Sequence, residues 1–522
     1  MTTTAATGPN YSSLIVEALT RYPTREAFVL GDRRVTYAEA ADTTARIQRV
    51  MHDHRVRRGC GVGVLSPNAP EVFMTQAAAF LSGARYSGLH PMGSISDHVF
   101  LCDDAEIELL VVHPKFADAA ATIAERAGSV RQVLTIGPAG GFPDLLELAG
   151  GAAPGPLRAL PVDEEEVGWL QYTGGTTGKP KGAMLSHRAL VQEVQSLTAA
   201  WGLPENPRYL AASPITHAAV LPLLPTLLRG GTVVLQQGFD PDAWLRAVEA
   251  EKVNYTFLVP TMLYTLLDRT DPGAADTSSL ESLVYGAAPM SAARIKEAQE
   301  VFGPVLLQVY GQTECMGMTT SLRKDEHDPV RRPELLASCG RPVPGVEVQL
   351  LDDAGSPVAD GEIGEIAVRS RNVMNGYWKR PDETAAALRG GWLHTGDMAR
   401  RADDGFFYMV DRKKDMIVTG GFNVFAKEVE DAIAAHSDVS AVAVIGVPDE
   451  KWGEAITAFV VARPDATIDA DELIASVRAR KGPHQAPKRL EIVSDLPTTA
   501  VGKIDKKALR ARHWADRSRQ IN

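Results

Sequence analysis

The sequence predicts an α/β protein built on parallel sheets, with a smaller α+β unit at its C-terminal end. Two observations support this fold class. Short apolar runs that end at proline or glycine alternate with stretches of helical periodicity, and such alternation is typical of strands joined by crossover helices. Near residue 410, glycine-rich turns typical of short antiparallel strands give way to a new series of helices and strands. The length of 522 residues accommodates one large body and a smaller unit.

Each element of the first two thirds follows from a local signal. Residues 28–37 contain two strand-like runs that predict a hairpin, and helices are predicted over 70–81 and 292–302. Apolar residues also recur at helical spacing over 190–201. Residues 137–156 are rich in glycine, alanine and proline, which predicts a surface connection. Short apolar runs predict buried strands at 62–65, 109–113, 232–235, 255–259, 283–285 and 305–309.

The C-terminal part has the pattern of a separate α+β unit of about 110 residues, an ordinary domain size. Helical patterns there alternate with short apolar runs and do not continue the glycine-rich turns before them. They predict helices at 427–435 and 471–481, a last helix near the C-terminus, and strands at 442–445, 455–461 and 490–493.

The composition is that of an ordinary globular protein, with 45% hydrophobic and 23% charged residues, which excludes a disordered or fibrous chain. The net charge of −11 disfavours nucleic acid as a partner. No apolar run is long enough to predict a membrane span, and the N-terminus lacks the pattern of a secretory signal. Scattered cysteines fit a reducing compartment, so we expect a cytoplasmic protein. The cysteines are Cys60, Cys102, Cys315 and Cys339.

A glycine-rich loop over residues 172–182, YTGGTTGKPKG, is the strongest local signal for chemistry. Its glycines let backbone N–H groups approach an anion, and its threonines and lysines add hydroxyl donors and positive charge, so the loop predicts a phosphate cradle. It is not a Walker A loop, because Thr173 and Pro180 occupy positions that this pattern reserves for other residues. The expected phosphate contacts are Thr173, Gly174, Gly175, Thr176, Thr177, Gly178, Lys179 and Lys181.

Together with later motifs in a fixed order, this loop resembles the signature of the adenylate-forming superfamily. That superfamily includes acyl- and aryl-CoA ligases, luciferases and peptide adenylation domains. The resemblance covers nearly the whole chain. The later motifs are YGQTE at 310–314, WLHTGD at 392–397, DRKKD at 411–415, GGFNV at 420–424 and GK at 502–503.

The resemblance implies a fold and an activity. The implied fold has a large N-terminal adenylation domain of doubly wound sheets with a small barrel-like β part, over residues 1–413. A small mobile α+β cap domain follows over 414–522. The implied activity is that of an AMP-forming ligase, which uses ATP and Mg²⁺ to convert a carboxylic acid into an acyl-adenylate and then forms a thioester with coenzyme A.

The ATP site is predicted at one edge of the sheet. If the strands at 283–285 and 305–309 are parallel, the loops after them open on the same edge, where open α/β sheets bind ligands. Small residues at 286–288 would accommodate a flat purine, Tyr310 offers a ring face, and Glu314 offers a hard oxygen for Mg²⁺. The expected ATP contacts outside the phosphate loop are Gly286, Ala287, Ala288, Tyr310, Gly311, Gln312, Thr313, Asp397, Arg412 and Lys503.

Acidic Asp397 can accept hydrogen bonds from two ribose hydroxyls, and the resemblance gives Arg412 a place at the same ribose. Lys503 matches the catalytic lysine of the superfamily. Its ammonium would neutralise charge where the acid meets the α-phosphate, whereas Lys506 and Lys507 are predicted to be solvated. The implied catalytic residues are Lys503, Glu314, Thr173 and His217.

The resemblance also implies that the cap domain rotates between the two half-reactions. The hinge would be Lys414. After rotation, Gly420 and Gly421 would line a channel for the pantetheine thiol of coenzyme A, together with Phe422 and with Trp452, for which a core position is the alternative.

The acyl pocket is predicted around His217, which resembles a substrate-side histidine of the superfamily. A pocket wall and an acid/base are both open roles for it. Cys315 is expected to be a wall and not a nucleophile, since no basic partner is near it in the sequence. The other predicted pocket residues are Val220, Thr261, Gly286, Gly311, Met316 and Gly317.

Two alternatives to a CoA ligase stay open, as does a homodimer. In the first, the acyl-adenylate passes to a different acceptor, either a carrier-protein thiol or an amine. In a variant of this alternative, nitrite takes the place of the acid and is activated for attack by an amine, in a diazotase-like reaction. In the second, the protein binds nucleotide without catalysis. The joint presence of Glu314, Asp397, Arg412 and Lys503 argues against this last reading.

Overall fold

The computed structural model describes residues 10–173, 180–269, 275–412, 415–419, 422–449, 451–464, 466–499 and 503–513. Its helices are α1 (Tyr11–Arg21), α2 (Tyr37–Asp53), α3 (Pro70–Leu81), α4 (Ile95–Asp104), α5 (Ala117–Arg126), α6 (Leu145–Gly151), α7 (His187–Ala200), α8 (Leu223–Leu228), α9 (Pro241–Ala250), α10 (Pro260–Arg269), α11 (Ala292–Phe302), α12 (Pro381–Ala387), α13 (Ala426–Ala434), α14 (Ala470–Lys481) and α15 (Lys506–Ala511).

The strands alternate with these helices through most of the chain. They are β1 (Glu26–Leu30), β2 (Arg33–Thr36), β3 (Gly61–Leu65), β4 (Arg85–Leu89), β5 (Ile107–Val112), β6 (Gln132–Thr135), β7 (Val167–Thr173), β8 (Lys181–Ser186), β9 (Arg208–Ala211), β10 (Thr232–Leu235), β11 (Tyr255–Leu258), β12 (Ser282–Gly286), β13 (Leu306–Tyr310), β14 (Thr320–Leu322), β15 (Arg341–Pro342), β16 (Val346–Leu351), β17 (Ile363–Ser370), β18 (Leu393–Arg401), β19 (Phe407–Arg412), β20 (Ile417–Thr419), β21 (Phe422–Val424), β22 (Val439–Asp449), β23 (Gly453–Ala462) and β24 (Arg489–Ile492).

Two large sheets form the N-terminal body. One has nine strands in the order β15-β14-β13-β12-β11-β9-β10-β1-β2, and the other has six in the order β6-β5-β3-β4-β7-β8. The central strands of both sheets are parallel. Among the strands that the structure describes, antiparallel pairs occur only towards the edges of these two sheets, at β2, β14, β15 and β8. The predicted α/β class with doubly wound sheets is confirmed.

Helix α3 lies between the two sheets. It contacts β1 of the nine-stranded sheet and β3 and β4 of the six-stranded sheet. All twelve of its residues are buried. This position between two sheets suits a helix that is apolar on nearly all sides, because it removes the whole apolar surface from water. Its one acidic residue, Glu71, is paired with Arg33.

Two smaller sheets complete the fold. Strands β16 to β19 form a four-stranded antiparallel sheet, which corresponds to the predicted small β part. The C-terminal unit has a five-stranded sheet of β20 to β24, with α13 and α14 packed on it. The predicted division between residues 413 and 414 lies outside the described residues and stays a prediction. No helix in the described ranges is long and apolar enough to cross a membrane.

Two local predictions were incomplete. The stretch 137–156 contains the short helix α6, which Asp144 caps by accepting from the Leu146 N–H at 2.8 Å. Leu145 and Ala149 are buried on one side of this helix. Its helical spacing is too short to stand out among the surrounding glycine and proline residues. The phosphate loop is followed by β8, which turns back along β7 as an antiparallel hairpin; this strand was not predicted.

Candidate active site

Strands β12 and β13 end side by side, as predicted. They are parallel, with Gly286 opposite Val309, so the chain leaves both strands at the same sheet edge. Beyond β12, Ala287 has a left-handed backbone with φ of +68°, a conformation that is uncommon for residues other than glycine and that clusters at functional sites. This edge therefore carries the predicted purine contacts 286–288.

The loop after β13 closes tightly on itself. A Cβ at Gly311 would lie only 2.2 Å from the carbonyl carbon of Gly317, so a side chain has no room there. Between them, Met316 adopts a left-handed backbone with φ of +55°. Cys315 is fully buried, and its Sγ lies 3.1 Å from Thr319 Oγ1. Burial raises the pKa of the Cys315 thiol to about 11, which supports its predicted role as a pocket wall.

Asp397 lies where the β13 loop meets the four-stranded sheet. Its Oδ2 accepts hydrogen bonds from the Tyr310 hydroxyl at 2.8 Å and from Gln312 Nε2 at 2.7 Å. Asp397 is 4% exposed, and it pairs with Arg412 through the backbones of β18 and β19. The structure thus brings together the side chains of three predicted nucleotide contacts, Tyr310, Gln312 and Asp397, and pairs the backbone of Arg412 with that of Asp397.

Glu314 accepts a hydrogen bond that the sequence did not predict. The Tyr377 hydroxyl donates to its Oε1 at 2.7 Å, and the Lys181 ammonium lies 5.0 Å from the centre of the Tyr377 ring. Burial, followed by the charge of Glu314, raises the pKa of Tyr377 well above its usual value, so the phenol stays protonated and donates. Tyr377 therefore links the candidate metal carboxylate to the lysine at the end of the phosphate loop.

The loop that contains Tyr377 is itself bonded to the phosphate hairpin. The Trp378 N–H donates to the Gly182 carbonyl at 2.8 Å, and the Met184 N–H donates to Gly376 at 2.9 Å. At the other strand of the hairpin, the Tyr172 hydroxyl donates to Asp104 Oδ2 at 2.7 Å. These contacts hold both ends of the phosphate loop, Thr173 and Lys181, which pair across the hairpin. The six predicted phosphate contacts at 174–179 lie outside the described residues.

The arrangement fits a magnesium ion bound mainly through phosphate. Within the described ranges there is no group of three or more histidine, cysteine, aspartate or glutamate residues that could hold a metal. Mg²⁺ is usually bound by one or two carboxylates together with substrate phosphates and water. Glu314, a half-buried carboxylate that Tyr377 connects to Lys181 at the end of the phosphate loop, is consistent with that mode.

His217 lies at the predicted acyl pocket. Its Nδ1 is 3.0 Å from Thr216 Oγ1, and its ring makes an edge-to-face contact with His90, with 4.6 Å between ring centroids. Burial, and then the proximity of His90, lowers the pKa of His217 to about 3. A neutral histidine at physiological pH favours a pocket wall over a proton donor. Val220, three positions after His217, is buried, and Thr261 lies in the first turn of α10.

Lys503 lies three positions before α15 and forms two hydrogen bonds with Thr499. Its N–H donates to Thr499 Oγ1 at 3.2 Å, and its carbonyl accepts from the Thr499 N–H at 2.7 Å. The prediction for Lys506 was wrong: its ammonium is mostly buried and forms an ion pair with Glu430 at 2.7 Å, whereas Lys507 is exposed as expected.

The remaining cap residues are only partly described. Phe422 and Trp452 are 59% and 36% exposed, so Trp452 is not a core residue. The ammonium groups of Lys451 and Lys488 lie 5.0 and 5.1 Å from the Trp452 ring. The predicted hinge Lys414 and channel residues Gly420 and Gly421 lie outside the described residues.

An interdomain cluster of five side chains joins the C-terminal unit to the body: Asp268, Arg294, Glu297, Ser440 and Arg463. Arg463 contacts both oxygens of Glu297 at 2.9 and 3.2 Å, and the Ser440 hydroxyl donates to Asp268 Oδ2 at 2.9 Å. Arg294, which is almost fully buried, bonds Asp268 at 2.7 Å and Glu297 at 2.9 Å. The cluster therefore holds one particular arrangement of the two parts.

The fold and this grouping of side chains are those of an adenylate-forming enzyme. Residues 15–378 match the family model described as AMP-binding enzyme, and residues 428–503 match the model of the AMP-binding enzyme C-terminal domain. The chain belongs to the AMP-binding enzyme family, which confirms the resemblance stated from the motifs.

One curated relative is the medium/long-chain-fatty-acid–CoA ligase FadD8 of Mycobacterium tuberculosis. It is 44% identical over 525 residues, which cover 97% of this chain and 91% of that protein. This similarity confirms the prediction of a ligase of the AMP-forming acyl-CoA synthetase type. Among solved structures, the amide bond synthetase McbA of Marinactinospora thermotolerans is 34% identical, with a TM-score of 0.88 over 96% of this chain and 99% of that one.

The MatB protein of Rhodopseudomonas palustris, known in two states, indicates which arrangement this structure has. The ATP-bound structure gives a TM-score of 0.87 and the apo structure 0.78, each at 29% identity over 97% of this chain and 99% of MatB. Since the sequence and coverage are the same, the difference reflects conformation. The arrangement held by the interdomain cluster is thus closer to the ATP-bound one.

Proposed function

We propose that this protein activates a carboxylic acid with ATP as an enzyme-bound acyl-adenylate and then transfers the acyl group to coenzyme A. The observation that carries the proposal is the meeting of Tyr310, Gln312 and Asp397 beside Glu314. These contacts support a ribose acceptor, Asp397, and a metal carboxylate, Glu314, at one sheet edge, with Tyr377 between Glu314 and the Lys181 end of the phosphate hairpin. FadD8 supports a medium- or long-chain fatty acid as substrate.

In the first half-reaction, a carboxylate oxygen forms a bond to the α-phosphorus and pyrophosphate leaves. Asp397, oriented by two donors, accepts from the ribose hydroxyls and fixes the nucleotide. Glu314 and the phosphates would hold Mg²⁺, which supplies positive charge to the phosphate oxygens. The Lys503 ammonium lies between the two anions and stabilises the charge that the transition state concentrates.

In the second half-reaction, the thiol sulfur bonds to the acyl carbon and AMP leaves. Lys503 would obstruct this step, so the cap turns about Lys414 and brings residues 420–422 to the acyl group. The exposed ring of Trp452, with the ammonium groups of Lys451 and Lys488 beside it, would suit the anionic nucleotide end of coenzyme A, and Phe422 offers a second exposed ring in the same domain. We further propose a cytoplasmic location, where free cysteines such as the four here stay reduced.

The proposal is tested by supplying ATP, Mg²⁺ and a panel of fatty and aromatic acids, and by following pyrophosphate and AMP with and without coenzyme A. Pyrophosphate formation with AMP held on the enzyme until coenzyme A is added is the expected result. AMP release that does not respond to coenzyme A, yet is driven by an amine, a carrier protein or nitrite, would contradict it. Binding of ATP with no turnover for any acid would favour a silent nucleotide-binding protein.

An amine acceptor is the second candidate function. It is favoured by the structural similarity to an amide bond synthetase. The two candidates share the first half-reaction, so they differ only in the nucleophile. Competition between coenzyme A and a panel of primary amines for the preformed acyl-adenylate separates thioester from amide products.

Replacing Lys414 by proline is expected to slow thioester formation more than adenylation. Proline restricts the backbone rotation that a hinge must undergo. The observed arrangement, which is closer to that of ATP-bound MatB, would need no such rotation for adenylation. The two rates are measured separately, as pyrophosphate release and as thioester formation from supplied acyl-adenylate. Equal losses in both steps would remove the hinge role.

Replacing Arg463 by alanine is expected to favour thioester formation over adenylation, the opposite of the effect expected for Lys414→Pro. The substitution removes the Arg463 contacts of the interdomain cluster. This cluster is formed in the observed arrangement, which is closer to ATP-bound MatB than to apo MatB. We expect the ratio of the thioester rate to the adenylation rate to rise about two- to tenfold, the effect of one net hydrogen bond or ion pair. Arg489→Ala is the control, since the ion pair of Arg489 with Asp449 lies within the C-terminal unit. An unchanged or lower ratio would contradict the role of the cluster.

A further inference from the structure

Segments that follow strands of the two large sheets contact each other beside the predicted acyl pocket. Asn68, just beyond β3, is 3% exposed, and its Nδ2 donates to the carbonyls of Ser213 and Gln236 at 2.8 and 2.9 Å. Its Oδ1 accepts from the Ile215 N–H at 2.8 Å. Asn68 therefore joins the carboxyl end of a strand in one sheet to the segments that follow β9 and β10 in the other.

The backbone after β4 also approaches the segment that carries His217. A Cβ at Gly88 would lie 2.6 Å from the Thr216 carbonyl oxygen, so only glycine fits there. This close approach brings His90, the first residue after β4, against His217, with 4.6 Å between their ring centroids. His90 was not predicted as a site residue, because its partner comes from the other sheet.

The contacts of His90 define where its proton lies. The Met92 N–H donates to His90 Nδ1 at 3.2 Å, so in the neutral ring the proton is on Nε2. The turn is held in place because the Gly93 N–H and His98 Nε2 both donate to the His90 carbonyl, at 2.8 and 2.9 Å. Nε2 of His90 is buried and has no hydrogen-bond partner within the described ranges of the chain.

A buried hydrogen-bond donor without an acceptor is unfavourable unless a water molecule or a ligand supplies the acceptor. Burial, and then the neighbouring His98, lowers the pKa of His90 to about 4, and His217 is neutral as well. His90 therefore presents an uncharged N–H donor beside the second uncharged ring, that of His217. Such a donor suits a neutral oxygen, since two uncharged imidazole rings offer no positive charge to offset a buried carboxylate.

We propose that His90 is a specificity-determining residue of the acyl pocket, whose Nε2–H donates to a carbonyl, hydroxyl or ether oxygen on the acyl group of the acid. The inference rests on the proposed function, because it concerns the acid that is activated. Among the fatty and aromatic acids proposed as substrates, it predicts a preference for those that carry a neutral oxygen beyond the reacting carboxylate.

The test compares pairs of acids that differ by one oxygen, such as hexanoate with 5-oxohexanoate, octanoate with 7-oxooctanoate, and cinnamate with 4-methoxycinnamate. ATP–pyrophosphate exchange without coenzyme A gives kcat and KM for each acid with the wild type, His90→Leu and His90→Gln. His113→Asn is the matched control: His113 follows β5 in the same sheet, and asparagine keeps its cap on the Lys115 N–H.

We expect the wild type to prefer the oxygenated member of at least one pair by about tenfold in kcat/KM. His90→Leu should lose this preference through a higher KM for the oxygenated acid alone, while His90→Gln, which keeps an N–H donor, should retain part of it. His113→Asn should behave like the wild type. The temperature of unfolding of each variant checks that the fold is intact.

Two results would overturn the inference while leaving the proposed function standing. One is exchange by the wild type with no preference in any pair. The other is an equal loss for both members of a pair in His90→Leu, which would assign His90 to the reacting carboxylate or to the fold. Absence of exchange with every acid would contradict the proposed function itself, and the inference with it.

Discussion

Replacing Lys503 by alanine is expected to abolish acyl-adenylate formation while leaving the second half-reaction largely intact. The adenylation transition state brings a carboxylate against the α-phosphate, and the ammonium is the positive charge predicted between them. Loss of one such stabilising group costs about 10²- to 10³-fold in rate. Pyrophosphate release should fall by that factor, whereas thioester formation from supplied acyl-adenylate should change little.

Lys507→Ala is the matched control for this variant. Lys507 is an exposed lysine four positions further along the chain, so its loss tests the effect of removing one positive charge from the same region. Lys507→Ala should leave both half-reactions unchanged. If Lys503→Ala slowed both half-reactions equally, the division of labour proposed for the two arrangements would be wrong.

Replacing Glu314 by glutamine is expected to lower the adenylation rate about 10²-fold and to raise the Mg²⁺ concentration needed for the half-maximal rate. Glutamine keeps an oxygen that can accept from the Tyr377 hydroxyl, so the local structure should persist. The negative charge that attracts the ion is lost. Titration of pyrophosphate release with Mg²⁺ at saturating ATP measures both effects.

Tyr377→Phe provides an intermediate case. It leaves the carboxylate in place but removes the hydroxyl that orients it, so we expect a smaller shift in the Mg²⁺ requirement and little change in the KM for the acid. Glu334→Gln, at an exposed glutamate paired with Arg332, is the control. A Glu314→Gln variant with the Mg²⁺ response of the wild type would contradict the metal role.

Much of the parallel framework could be predicted from the sequence. Strands β10 and β12 and helices α3 and α11 carry dense local signals, since short apolar runs stop at glycine or proline and helical spacing is regular between them. The parallel pairing of β12 with β13 followed from the alternation of elements. That pairing alone brought the loops at 286 and 310 to one sheet edge.

The side-chain partners at the site could not be predicted in the same way. Tyr310 and Asp397 are 87 positions apart, and Tyr377 reaches Glu314 across 63 positions. No spacing rule links such pairs, because their contact depends on how whole sheets pack. For the same reason Lys506 was predicted to be solvated, although the fold of the C-terminal unit buries most of its side chain against Glu430.

In the proposed first half-reaction, a carboxylate oxygen of the substrate attacks the α-phosphorus of ATP. The most direct measurement uses an acid labelled with ¹⁸O in its carboxylate, with ATP, Mg²⁺ and coenzyme A, followed by mass spectrometry of the products. Because the thiol attacks the acyl carbon, the bridging oxygen should leave with AMP, and each AMP should contain one ¹⁸O. Thioester formation with unlabelled AMP, or with the label in pyrophosphate or inorganic phosphate, would contradict the account.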